Sequence, residues 1–168
     1  MRRPIIAGNW KMNTTLEEAL RLVDELATSL RPYDGVERVV CPPFISLAAV
    51  AERLRDGRIL VGAQNAYFED KGAFTGEVAP PMLVGLCEYV ILGHSERRQY
   101  FGDTDQIVNR KIKAVLKHGL KPIVCVGENL AENEAGQTDA VIDRQMRGAF
   151  LDVPSLADVV IAYEPVWA

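Results

Sequence analysis

Five polar side chains stand just past short apolar runs. Asn9 and Lys11 follow Ile5-Ile6-Ala7-Gly8, His94 and Glu96 follow Val90-Ile91-Leu92-Gly93, and Glu164 follows Val160-Ile161-Ala162-Tyr163. In parallel α/β proteins chemistry collects at the carboxyl ends of strands. An ammonium, an imidazole and carboxylates at one such rim can neutralise an anionic substrate, donate a hydrogen bond and accept a proton. Ser95 and Glu96 read as the opening of a short helix, whose N-terminus disfavours an imidazolium and leaves His94 a neutral donor. Glu164 comes straight off an apolar strand and is stiffened by Pro165, which makes it the candidate base. Glu96 with Arg97 and Arg98 reads as a structural ion-pair network, and His118 as a residue at a helix C-terminus. With only those two histidines, and no Cys-x-x-Cys, neither common zinc pattern can occur. Proton transfer without a cofactor or metal is the expectation.

The elements that must position these residues are legible as apolar runs at 4–7, 36–41, 59–63, 89–92, 122–126 and 159–163. They are continuous rather than alternating, which predicts burial on both faces and a parallel sheet. Helical faces lie between them. Leu16, Leu20, Val23, Ala27 and Leu30 share one face, with Thr14 and Thr15 as alternative capping boxes to Glu17 and Glu18. Leu47, Val50, Ala51 and Leu54 share the next. Val108, Ile112, Val115 and Leu116 form a later face, and Val141, Ile142, Gln145, Met146 and Phe150 the last. Strand and helix alternate throughout with no linker, so the expectation is one α/β domain over 1–168. No two of the 13 glycines stand two apart, and no Gly-x-x-x-x-Gly-Lys occurs, which excludes the common nucleotide-binding loops. A barrel of about 250 residues has eight units, or about 31 residues each. At that rate this chain holds five to six.

Composition sets outer limits. The 168 residues are 48% hydrophobic and 25% charged, and Lys+Arg 19 against Asp+Glu 23 leaves a net charge of −4. This is an ordinary globular composition without the clustered basic excess of a nucleic-acid binder. No apolar run reaches the roughly 18 residues of a membrane span. Arg2 and Arg3 precede an apolar stretch too short for a signal peptide. Cys41, Cys87 and Cys125 each sit among apolar neighbours, so buried reduced thiols and a cytoplasmic location are expected.

At these residues the chain closely resembles the triosephosphate isomerase family. The motifs are Gly8-Asn9-Trp10-Lys11-Met12-Asn13, Cys41-Pro42-Pro43, Gly72-Ala73-Phe74-Thr75-Gly76-Glu77, Leu92-Gly93-His94-Ser95-Glu96-Arg97-Arg98, Cys125-Val126-Gly127-Glu128 and Ala162-Tyr163-Glu164-Pro165-Val166-Trp167-Ala168. All six run in family order. The resemblance implies a TIM (β/α)8 barrel of which this chain holds the first six β/α units. It implies interconversion of dihydroxyacetone phosphate and D-glyceraldehyde 3-phosphate in glycolysis and gluconeogenesis, with no cofactor. Glu164 is then the base and His94 the electrophile, Asn9 and Lys11 bind the triose phosphate, and Glu96 supports the site. The long loop 65–79 is implied to reach a second copy in a homodimer, where Thr75 buttresses the neighbouring site.

The family motif at the end continues into a mobile lid, whereas this sequence stops at Ala168. In a six-strand piece each interior layer lacks a contributor and the outer strands show open edges. The phosphate-gripping amides beyond that point are absent too. The alternative expectation is therefore a folding or complementation fragment, with little or no turnover by itself.

Overall fold

The computed structural model describes residues 3–167, so Arg2 and Ala168 lie outside the described residues. The chain divides into two compact units. One runs to Gln64 and includes Met82–Val90; the other comprises Asn65–Pro81 and the residues from Ile91 onward.

In the first unit β1 (Ile5–Asn9), β2 (Glu37–Cys41) and β3 (Leu60–Ala63) alternate with α1 (Leu16–Ser29) and α2 (Phe44–Arg53). All the pairing is parallel. Ile5 lies opposite Glu37, Val39 opposite Leu60, and Gly62 opposite Tyr89 at the start of β4 (Tyr89–Leu92). The first strand extends through Asn9, two residues beyond the run read from sequence, because its ladder with β2 continues to Cys41. Of the two expected capping boxes the Thr15 one forms. Glu18 N–H donates to the Thr15 side chain, and Thr15 N–H donates to the Glu18 carboxylate at 2.7 Å. Thr14 has φ 76°, a left-handed backbone that removes it from the capping position. α1 has no basic residue in its last turn; Arg38 Nη1 supplies the missing cation to the Leu30 carbonyl at 2.5 Å.

Burial departs from the expectation at the outer strands. β2, β3 and β4 are enclosed, but Ile6 of β1 is 64% exposed. Among the described residues β1 has a strand neighbour on one side, β2. An apolar cavity of about 710 Å³ lies beside it, lined by Ile6, Leu22, Leu26, Leu30 and Tyr33 among others.

A short helix, α3 (Pro80–Leu83), follows the loop 65–79 in the chain. The second unit holds α4 (Ser95–Phe101), α5 (Asp105–Lys117), β5 (Lys121–Val126), α6 (Leu130–Glu134), α7 (Thr138–Ala149) and β6 (Val160–Tyr163). β5 and β6 run parallel from Ile123 opposite Val160 to Val126 opposite Tyr163. β6 leaves alternate residues exposed, whereas β1 exposes its three middle residues in a row. α6 was invisible to periodicity because it has one turn and a reciprocal cap: Glu132 N–H to Asn129 Oδ1 at 2.9 Å and Asn129 N–H to Glu132 Oε2 at 3.0 Å. The loop 65–79 is an ordered structure. Tyr67 N–H meets the Val78 carbonyl at 2.8 Å, Tyr67 stacks on Phe68 with centroids 4.0 Å apart, and Arg110 of α5 covers Phe68 at 3.5 Å. His118, the C-cap of α5, meets Asp70 at 2.8 Å. At the loop's start Lys111 Nζ, nearly fully buried, bonds Asn65 at 3.0 Å and both Asp103 oxygens at 2.8 and 2.9 Å. No helix among the described residues is long and apolar enough to cross a membrane.

Gly62 makes the inter-strand packing of the first unit testable. A Cβ there would stand 2.6 Å from the buried Cys41 Sγ and 3.4 Å from Tyr89 Cβ. Gly62→Ala is expected to destabilise by about 1–3 kcal/mol in urea unfolding. Gly35→Ala, which meets nothing within 4 Å, is expected to change stability by no more than about 0.5 kcal/mol. Equal midpoints for the two would contradict this packing.

Candidate active site

His94 leaves β4 through Gly93, whose φ of +68° and crowded surroundings both require glycine. An added Cβ would lie 2.9 Å from Val108 Cγ2 and 3.1 Å from Arg98 Nη2. Arg98 fixes that turn, donating from Nε to the Gly93 carbonyl at 2.8 Å while Nη1 pairs with Asp105 at 2.6 Å. His94 is the N-cap of α4, and its Nδ1 accepts the Glu96 N–H at 3.3 Å. An imidazole thus does the work that Ser or Asp usually does at a helix start. With Nδ1 taken up as an acceptor, the ring hydrogen is assigned to Nε2.

That nitrogen faces Glu164. Nε2 lies 3.3 Å from Glu164 Oε2, and Ser95 N–H donates to Oε1 at 2.8 Å. The His94 side chain is 10% exposed and that of Glu164 32%. A proton acceptor is therefore in direct contact with a neutral N–H donor, the minimum pair for moving a proton between carbons while stabilising an oxyanion. Glu96 Oε2 lies on the opposite side of the ring, 3.6 Å from Nδ1. Arg97 and Arg98 pair with Asp103 and Asp105. Thr75 sits on an exposed turn closed by Glu77 N–H to the Phe74 carbonyl at 3.0 Å.

Asn9 and Lys11 belong to the first unit and are tied to each other. Lys11 has φ 54°, which costs energy for a residue with a Cβ and persists only when held. It is held at both ends of its backbone. Asn9 Oδ1 accepts the Lys11 N–H at 3.0 Å, and Gln64 Nε2 donates to the Lys11 carbonyl at 2.9 Å and to the Cys41 carbonyl at 2.9 Å. Gln64 went unnoticed in the sequence because a single polar residue after a strand carries no periodic signal.

Glu128 follows Gly127 directly past β5. It is fully buried. Its carboxylate accepts from Asn133 Nδ2 at 3.0 Å, Tyr163 Oη at 3.1 and 3.2 Å, and Trp167 Nε1 at 3.2 Å. Burial pushes its pKa up, but hydrogen bonds from its own backbone, Trp167, Asn133 and Tyr163 outweigh that and hold the carboxyl below the ordinary range. Residues 163 and 167 flank Glu164, so this buried charge anchors the segment that carries it. The three cysteines are free and buried as expected. Burial pushes Cys41 and Cys87 up to about 12, which leaves them as thiols at neutral pH.

Parallel strands alternating with helices, with polar side chains past the strand ends, define an α/β chain. Residues 4–168 match the sequence profile of the family described as triosephosphate isomerase. A triosephosphate isomerase of Dehalococcoides mccartyi is 56% identical over 168 residues, all of this chain and 66% of its own length. Those of Chloroflexus aurantiacus and Moorella thermoacetica are each 57% identical, over 171 and 174 residues, covering all of this chain and 68% of theirs. The chain belongs to the triosephosphate isomerase family. It spans 66% of the length of the Dehalococcoides relative.

The Glu128 cluster dictates an acid limb in stability. The folded carboxyl releases its proton more readily than the unfolded one, whose pKa is about 4.3. Its contribution is therefore complete above that value and is lost as pH falls through the lower native one. Urea midpoints between pH 6 and pH 2 are expected to fall less steeply for Glu128→Gln than for the parent. Parallel slopes would contradict the assignment.

Proposed function

We propose that the chain supplies the base and the electrophile of an isomerase that interconverts dihydroxyacetone phosphate and D-glyceraldehyde 3-phosphate. The contact between Glu164 and His94 Nε2, with Ser95 N–H fixing the second carboxylate oxygen, carries this reading. Glu164 takes a proton from the hydroxymethyl carbon, and the resulting enediolate oxygens receive hydrogen bonds from His94 Nε2–H. His94 Nε2–H gives its proton to the oxygen of the second carbon, the ring nitrogen takes the hydroxyl proton from the oxygen of the first, and the protonated Glu164 returns its proton to the second carbon, which leaves the first as the aldehyde. Each step closes on these residues, so no cofactor enters the scheme. Asn9 and Lys11 bind the substrate in this reading, Lys11 offsetting phosphate and oxyanion charge. Glu96 supports the His94 ring. The reaction belongs to glycolysis and gluconeogenesis. A cytoplasmic location goes with the three free buried thiols. The chain is read as one domain over 1–168.

The partner in this reading is a second copy of the chain, with Thr75 reaching its site. The loop 65–79 is rigidly packed yet leaves Phe74 42% exposed, and the same unit leaves Tyr100 and Phe101 each 67% exposed. Surface of that kind is what oligomer interfaces cover.

On the protein at its natural length, Glu164→Ala and His94→Gln are each expected to lower kcat by about 10²–10⁴-fold with little change in KM. A coupled assay of triose phosphate interconversion measures this, and a Glu164→Ala variant at the parent's rate would overturn the assignment. Sedimentation equilibrium is expected to give twice the monomer mass, and a monomer at micromolar concentration would remove the dimer from the reading.

A further inference from the structure

The backbone beneath Glu164 is held from the side opposite β6 by a glutamine of α7. Glu164 N–H donates to the Val126 carbonyl at 2.9 Å and Val166 N–H to the Glu128 carbonyl at 3.0 Å, so the β5–β6 ladder continues past both strands. Gly127 lies between those two carbonyls and bonds elsewhere. Its N–H donates to Gln145 Oε1 at 2.9 Å, and its carbonyl accepts from Gln145 Nε2 at 3.0 Å. Gln145 is 6% exposed. One side-chain amide thus makes both bonds that a neighbouring strand would make to that residue. The face of Gly127 without a Cβ is where Glu164 rests: an added Cβ would stand 1.9 Å from the Glu164 carbonyl oxygen. Turning either peptide that flanks the Gly127 Cα breaks a buried hydrogen bond to Gln145 and moves the surface under the base.

We propose that Gln145 is a positioning residue for Glu164, acting through the Gly127 backbone to hold the carboxylate against His94 and Ser95. The inference rests on the isomerase reading above. An ordinary helix-to-backbone tie is present in the same unit for comparison. Asn109 Nδ2 donates to the Ala149 and Leu151 carbonyls, both at 2.8 Å, and is comparably buried, but its acceptors end α7 rather than underlie the base.

The test uses the protein at its natural length, with dihydroxyacetone phosphate deuterated at the carbon that loses its proton. Gln145→Met is expected to lower kcat about 10–100-fold with KM within twofold, since small misplacements of a base cost rates of that order. The deuterium isotope effect on kcat is expected to rise as proton transfer becomes slower than the other steps. That ratio does not depend on how much of the sample is folded. Asn109→Leu is expected to lower the melting temperature while leaving the isotope effect at the parent's value. Gln145→Glu keeps the acceptor for Gly127 N–H, but only its protonated form can donate to the Gly127 carbonyl. Its kcat relative to the parent is therefore expected to recover as pH falls. An unchanged isotope effect in folded Gln145→Met overturns the inference. If that variant does not fold, a pH-independent ratio for Gln145→Glu overturns it instead. A parent without isomerase activity removes the functional reading and this inference together, and is seen before any variant is compared.

Discussion

The bond from Ser95 N–H to Glu164 Oε1, 2.8 Å long, joins two chain segments 69 residues apart, and much of the second unit's buried polarity serves one or other of its ends. On the Ser95 side the amide is aimed by the turn at Gly93, and that turn is fixed by Arg98, whose guanidinium also reaches Asp105 and the Cys125 carbonyl. On the Glu164 side the aim comes from backbone bonds to Val126 and Glu128 and from the buried Glu128 carboxylate gripping Tyr163 and Trp167. A carboxylate is a useful base only at a fixed distance from the carbon it serves, and a flexible three-torsion side chain does not fix itself. The surrounding donors lower the number of positions it can take.

Lys11 meets the same need in the first unit by a different device. Its backbone lies in a region that residues with a Cβ avoid, and Asn9 and Gln64 pin its two polar ends there. Local strain persists because each release would break a specific hydrogen bond. In each unit an amide side chain bonds backbone near a candidate site residue: Gln64 takes the Lys11 and Cys41 carbonyls, and Gln145 the N–H and carbonyl of Gly127.

What could be read from the sequence follows the range of the interactions. β2 to β5 and the long helices declare themselves through continuous apolar runs and a 3.6-residue period, since burial acts on whole elements. His94 and Glu164 were legible as polar residues delivered by such runs, and the helix opening at Ser95 was legible from the residues after His94. Gln145 was read as part of the apolar face of its helix, and its register was right. Its purpose was hidden because its partner, Gly127, lies 18 residues away. Lys111, Asp103 and Asn65 were hidden for the same reason, as was the choice between Thr14 and Thr15, which the backbone conformation of Thr14 decides. The exposure of β1 and β6 escaped the composition of those strands, which is as apolar as that of the enclosed ones.

The buried charges explain why so much of this polar interior is paired so fully. Burial lowers the Lys111 pKa, and the hydrogen bond and charge of Asp103 oppose that shift. Removing one partner from such a cluster leaves the other charge uncompensated, a larger loss than the intact cluster ever contributes to stability. These networks are consequently intolerant of rearrangement, whether or not they add net stability. That intolerance is the useful property. Lys111 ties the start of the loop 65–79 to Asp103, and Asp103 ties in turn to Arg97 on the helix that His94 caps. A shift of the loop base would disturb the helix that presents Ser95 N–H, so the geometry of His94 and Glu164 and that of the exposed loop are specified by one set of hydrogen bonds.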